Sequence, residues 1–131
     1  MIGLDTNVLV RYLTADEPSL SAKAADLIER RISSSDPGFV SIVVVAEMAW
    51  VLERVYRISD RGIAAAIERL LQSETIVVES EQEVFTAMIA LKEGYGSFAD
   101  ALIGALGEKA GCSHTFTLDR GAARLPSFLL L

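Results

Sequence analysis

The chain has 131 residues, 51% of them hydrophobic, with one cysteine, one histidine and a formal net charge of −6. That length and apolar content exclude a disordered chain and predict a single domain over residues 1–131 with its own core. A lone Cys112 forbids an internal disulfide, no apolar run is long enough to span a bilayer, and no secretion signal is legible, so a cytoplasmic protein off the membrane is expected.

Ile2–Leu4 predicts a first strand, and Asp5 hands over to a helix from Thr6 to about Leu13. Pro18 opens a second helix that places Ala24, Leu27, Ile28 and Ile32 on one face, and SSSDPG is a loop. GFVSI is a second strand, followed by a helix in VVVAEMAWVLERVY with Val44, Met48, Val51, Leu52 and Val55 inward. Trp50 is expected in the core, with Glu53 and Arg57 paired one turn apart. RGIAAAIERLLQS is a helix with Ile63, Ile67, Leu70 and Leu71 on one stripe, and TIVVE is a third strand. SEQEVFTAMIALKEGY is a helix in which Ser80 and Glu83 form a capping-box pattern. FADALIGALGEKAG is a helix ended by Gly111, and Cys112 after it is expected as a small buried hydrophobe. HTFTL is a fourth strand, and a turn through AARLP leads to SFLLL, read as an edge strand. Short strands alternating with helices predict an α/β fold with a mostly parallel sheet covered on both faces.

Four acids occupy unusual places. Asp5 ends the first strand and Asp119 the fourth, so both should emerge at one edge of a parallel sheet. Asp100 lies in the first turn of a largely apolar helix, with Gly104 and Gly107 on its face for close backbone approach. Glu47 interrupts the apolar VVVAEMAWVL. Each also has an ordinary reading. Asp5 would cap a helix, Asp100 would favour a helix start, Asp119 would serve the turn LDRG, and Glu47 would face solvent. Their concurrence at one edge favours a shared site.

Clustered carboxylates repel one another unless cations neutralise them. A set of Asp and Glu without Cys or His suits hard, oxygen-seeking ions, Mg²⁺ or Mn²⁺. His114 is the only histidine, so a histidine zinc site is excluded, and it reads as a satisfied strand-end residue. No serine-hydrolase triad, GxxxxGK[ST] loop or GxGxxG is present. An aspartyl phosphatase would resemble DxDx[TV], where this chain has DTNV, and the paired acids of a receiver domain are missing. An all-carboxylate metal site in a small α/β domain suits phosphodiester hydrolysis.

LDTNVLV, VVAEMAWVL, FADALIGA and FTLDRGAARLP, in this order and across essentially the whole chain, resemble the PIN domain of VapC-type toxins from toxin–antitoxin pairs. The resemblance implies a three-layer α/β/α sandwich around a mostly parallel four- to five-stranded sheet. It also implies a homodimer, and a Mg²⁺- or Mn²⁺-dependent endoribonuclease blocked by a VapB-like antitoxin that covers the site. Matched residue by residue, it assigns the catalytic and metal-binding acids to Asp5, Glu47, Asp100 and Asp119. Thr6, Asn7 and Thr117 match polar residues that orient carboxylates or water. Many relatives carry Asp where this chain has Ser97, and Phe where it has Leu118, which leaves the number of bound ions open. If RNA is the substrate, Arg11, Arg120 and Arg124 are nearest in sequence to hold its backbone, and Arg54, Arg57 and Arg61 form a second cluster. The antitoxin is expected to pair an Arg or Lys with the acids. The rival reading is a catalytically silent PIN-like module that binds protein.

Overall fold

In the computed structural model, which describes residues 1–131, most apolar runs end on a capping side chain that turns the chain into its next element. Strand β1 (Ile2–Gly3) passes through Asp5 into helix α1 (Thr6–Thr14). Pro18 takes the first position of α2 (Pro18–Asp26), where its missing N–H costs nothing, and α2 continues through a π-helical turn over Leu27–Arg31. Strand β2 (Gly38–Val40) leads into α3 (Ile42–Arg54), then α4 (Asp60–Gln72), β3 (Ile76–Val78), α5 (Glu81–Lys92) and α6 (Phe98–Lys109). Gly111, at φ +97°, ends the last helix before β4 (Thr115–Thr117). A 3₁₀ turn at Ala122–Arg124 precedes β5 (Phe128–Leu130). No helix is long and apolar enough to cross a membrane.

The fold is α/β and every strand pair is parallel, as the alternation predicts. Hydrogen bonds join the strands as two groups, β1–β2–β3 and β4–β5. Gly38 lies opposite both Ile2 and Ile76, and Thr115 lies opposite Phe128. SFLLL therefore does form a strand, at the free edge of the second group. The glycines of α6 allow a close approach, though what comes near is side chains rather than the backbone expected. A side chain at Gly104 would strike the Ser127 hydroxyl and come within 2.8 Å of the Phe128 ring, and one at Gly107 would lie 3.1 Å from Thr115 Oγ1.

The core runs through Leu9, Val40, Val45, Met48, Leu52, Ile67, Val84 and Met88, all fully enclosed. Ala24, Ile28, Ile32, Ile63 and Leu70 are buried on the faces predicted for them. Helix α3 departs from expectation. Its buried face is Val45, Met48, Ala49 and Leu52, whereas Val44 and Val51 are half-buried and Val55, just past the helix end, is 63% exposed. Trp50 is 56% exposed rather than core, with the Arg54 guanidinium 5.6 Å over its ring. Glu53 and Arg57 form no ion pair, because the chain leaves the helix and Arg57 turns to φ +54°. Ser80 precedes α5 but sits at φ +50°, outside the extended region from which a cap accepts, so the capping box is not made. Its hydroxyl instead takes a hydrogen bond from Lys109 Nζ at 3.3 Å, and that ammonium lies 3.2 Å from Glu83. Cys112 is exposed, since it follows the Gly111 turn out of α6. His114 is partnered, by the Ser113 hydroxyl at 3.1 Å and edge-on to Phe116.

The phase of α3 predicts unequal costs for two truncations. Met48→Ala should destabilise the protein by about 3 kcal/mol in urea unfolding, within the range for emptying a buried site. Val55→Ala should change it by less than about 0.5 kcal/mol. Equal costs would mean that α3 is rotated from the orientation described.

Candidate functional site

Asp5 is where β1 stops and α1 starts. Its backbone is extended (φ −84°, ψ 160°), and its Oδ1 accepts the Thr6 N–H at 2.8 Å. It therefore caps the helix. A carboxylate offers about four acceptor positions, so one such bond leaves most of them open. Ser41 caps α3 by accepting the Val44 N–H at 3.2 Å, and Glu79, just past β3, accepts the Ile42 N–H at 2.9 Å. With α3 held so, Glu47 falls on its exposed side.

Asp5 and Glu47 line one cavity of about 350 Å³, together with Thr6, Asn7, Arg11 and Tyr56 and the apolar Val10, Val51 and Val55. Thr6 is buried, and its hydroxyl has no hydrogen-bond partner within the protein. Asn7 and Arg11 also line an adjoining cavity of about 430 Å³ between α1 and α2, with Lys23 and Arg31 as its further cations.

Asp100 and Asp119 do not line the Asp5–Glu47 cavity. Asp100 is half-buried in the first turn of α6, where its N–H donates to the Ser97 hydroxyl at 3.1 Å. Ser97 is thus the N-cap of α6, a role that Asp would fill equally well. Asp119 makes a tight turn with itself as the first residue. Its Oδ1 accepts the Gly121 N–H at 2.8 Å, and its own N–H donates to Thr117 Oγ1 at 3.0 Å. No three of the Asp, Glu, His and Cys side chains converge closely enough to hold a metal ion among them. The pair Asp5 and Glu47 nevertheless suits a hydrated hard cation. Mg²⁺ keeps several of its waters and is commonly bound through one or two carboxylates. The unpartnered Thr6 hydroxyl beside Asp5 is one more oxygen without a protein partner.

Among the basic residues, Arg11 lines both cavities, while Arg124 is turned away to donate to the Gly94 carbonyl at 2.9 Å. Arg120 is exposed beside Asp119. Sequence reasoning missed Asp16, in the turn between α1 and α2. Its Oδ1 accepts from Arg11 Nη1 at 3.1 Å and Thr14 Oγ1 at 3.0 Å, and its Oδ2 accepts from the Tyr56 hydroxyl at 2.8 Å. The only signal in the sequence was a carboxylate in TADEP, which reads as an ordinary turn. The Tyr56 hydrogen bond holds the Asp16 carboxyl below the usual carboxylate range. Burial opposes this, and the bonds from Thr14 and Arg11 reinforce it.

Residues 2–127 match the PIN domain family. No curated protein matches the chain. The family match covers the acids, both cavities and the strand groups up to the start of β5.

The depressed Asp16 group predicts part of the acid limb of stability. Its contribution is present above the ordinary value of 3.8 and is lost as pH falls through the lower folded-state value. Urea midpoints followed downward from pH 5 should therefore fall less steeply in Asp16→Asn than in the wild type. Parallel curves would mean that the carboxylate is not held in the ionised form.

Proposed function

The chain belongs to the PIN domain family, a nuclease fold whose members generally depend on divalent metals, and on that premise we propose that it is a Mg²⁺- or Mn²⁺-dependent endoribonuclease acting as the VapC-type toxin of a toxin–antitoxin pair. The observation that carries the reading is the cavity shared by Asp5 and Glu47. Asp5 and Glu47 would hold the cation, with Asp100 and Asp119 as the third and fourth acids of the motif. The cation supplies a bound water of lowered pKa and offsets charge on the phosphate. Asp5 stands just past the strand end with one oxygen bonded to the Thr6 N–H, and its remaining acceptor positions are open. Thr6 and Asn7 offer a hydroxyl and an amide beside it, and Thr117 steadies Asp119 through its backbone N–H. Arg11, with Lys23 and Arg31 along the adjoining cavity and Arg120 beside Asp119, supplies the positive charge that an RNA backbone needs.

A VapB-like antitoxin would cover the cavity and place an Arg or Lys against Asp5 and Glu47. A homodimer is part of the same proposal, supported by exposed apolar side chains at Phe116, Leu118, Leu129 and Leu130.

One observation favours the rival, a PIN-like module that binds protein without catalysis: the four acids do not converge as a group. Calorimetric titration with Mn²⁺ separates the two. A millimolar or tighter site that vanishes in Asp5→Asn supports the enzyme, and no such site supports the module.

Incubated with Mn²⁺ and end-labelled single-stranded RNA, the wild type should yield discrete products. Asp5→Asn and Glu47→Gln should each slow cleavage at least about a hundredfold, the upper end of the loss for residues that only support a ligand. Cleavage that persists in a chelator, or in both variants, would sink the proposal.

A further inference from the structure

Three donors meet on one carboxylate at the rim of the Asp5–Glu47 cavity. Asp16 itself does not line that cavity, but two of its three donors, Arg11 and Tyr56, do. Tyr56 reaches it from just beyond the end of α3, so the bond ties the α1–α2 turn to a distant part of the chain. Thr14, in the last turn of α1, fixes Oδ1 from the other side.

Arg11 is the only cation lining a cavity that holds two carboxylates. A phosphate entering there is repelled by both acids and attracted by one guanidinium. Arginine has a long, flexible stem, and freezing it costs binding free energy unless it is already held. Asp16 takes one guanidinium nitrogen and leaves the other donors of the planar fork open. Because both Asp16 oxygens are engaged, the carboxylate is itself fixed by Tyr56 and Thr14. The depressed Asp16 carboxyl accords with this, since each bond favours its charged form.

We propose that Asp16 is a positioning residue: braced by Tyr56, it holds the Arg11 guanidinium on the wall of the Asp5–Glu47 cavity, where Arg11 receives a phosphate of the nucleic-acid substrate. This rests on the reading of that cavity as a nuclease site. A strut that merely joins α1 to α3 would need only the Tyr56–Asp16 bond. The network also takes in Arg11, which lines the cavity.

Tyr56→Phe tests the idea without changing charge. Binding of a fluorescein-labelled single-stranded RNA oligonucleotide is measured by anisotropy across a salt series, with Ca²⁺ in place of Mg²⁺, in a double-mutant cycle with Arg11→Ala. Arg11→Ala should weaken binding about tenfold and lower the salt slope by about one. Tyr56→Phe should weaken it about threefold in the wild-type background and not at all in Arg11→Ala. Asp16→Asn provides the same cycle should Tyr56→Phe fail to fold, and thermal melts identify such a failure. Equal losses in both backgrounds, or a lowered Tm with unchanged affinity, would overturn the positioning role. Coupled binding without cleavage in Mn²⁺ would overturn the nuclease reading and leave the positioning role in place. A wild type that binds no RNA would overturn both.

Discussion

The rotation of α3 about its own axis decides where the polar residues of this protein meet. Val45, Met48, Ala49 and Leu52 are buried along one side of that helix, and each large side chain among them gains about 1.5–3 kcal/mol from leaving water. A turn of one residue would expose that stripe. The start of α3 is held as well, by the Ser41 hydroxyl and by Glu79 reaching across from the end of β3. Strands of two or three residues could not fix the orientation alone, because so short a ladder carries few hydrogen bonds. The approach of Glu47 to Asp5 is therefore set by apolar burial on the opposite side of the helix. No contact between the two acids is needed to bring it about.

This explains which parts of the fold were legible. Helices with a polar face, such as α4, show their stripe at once: Ile63, Ile67 and Leu70 are buried as their spacing predicts. Helix α3 is apolar almost all round, so period alone could not fix its phase. Two of the predicted inward residues, Met48 and Leu52, are buried, and Val55 is not, because the helix stops short of it. Val45 and Ala49 complete the buried face in place of Val44 and Val51. Ser80 has the right spacing to Glu83 for a capping box, but capping depends on a backbone angle that letters do not carry, and its φ is +50°. The glycines of α6 were legible because the absence of a side chain has few other uses on an apolar face. Gly104 and Gly107 do admit the β4–β5 pair.

The candidate site was legible in identity more than in arrangement. Asp5 is both a helix cap and a wall of the cavity, so its two readings were never exclusive. Asp119 follows β4 by two residues, the strand being shorter than HTFTL, and one of its oxygens is taken by the Gly121 N–H two residues on. Chain order places such acids at strand ends. How far apart they stand depends on turns of a few residues, which spacing does not resolve. Asp16 went unseen because its partner Tyr56 is distant in sequence, and nothing local marks the pairing.

The helix starts carry a further consequence. An open helix N-terminus offers free N–H groups and a positive dipole end to any passing anion. Here α1 presents Asp5, α2 presents Glu17 bonded to the Ser19 and Leu20 N–H groups, and α3 presents Ser41 and Glu79. Ser59 closes α4 and Ser97 closes α6, while α5 carries Glu81 and Glu83 in its first turn. Every helix but α5 has thus turned its first N–H groups onto a side-chain oxygen of the same chain. At those five helix starts the N–H groups are satisfied within the chain and do not cradle a phosphate, so recognition of a polyanion beside them falls to individual arginine and lysine side chains.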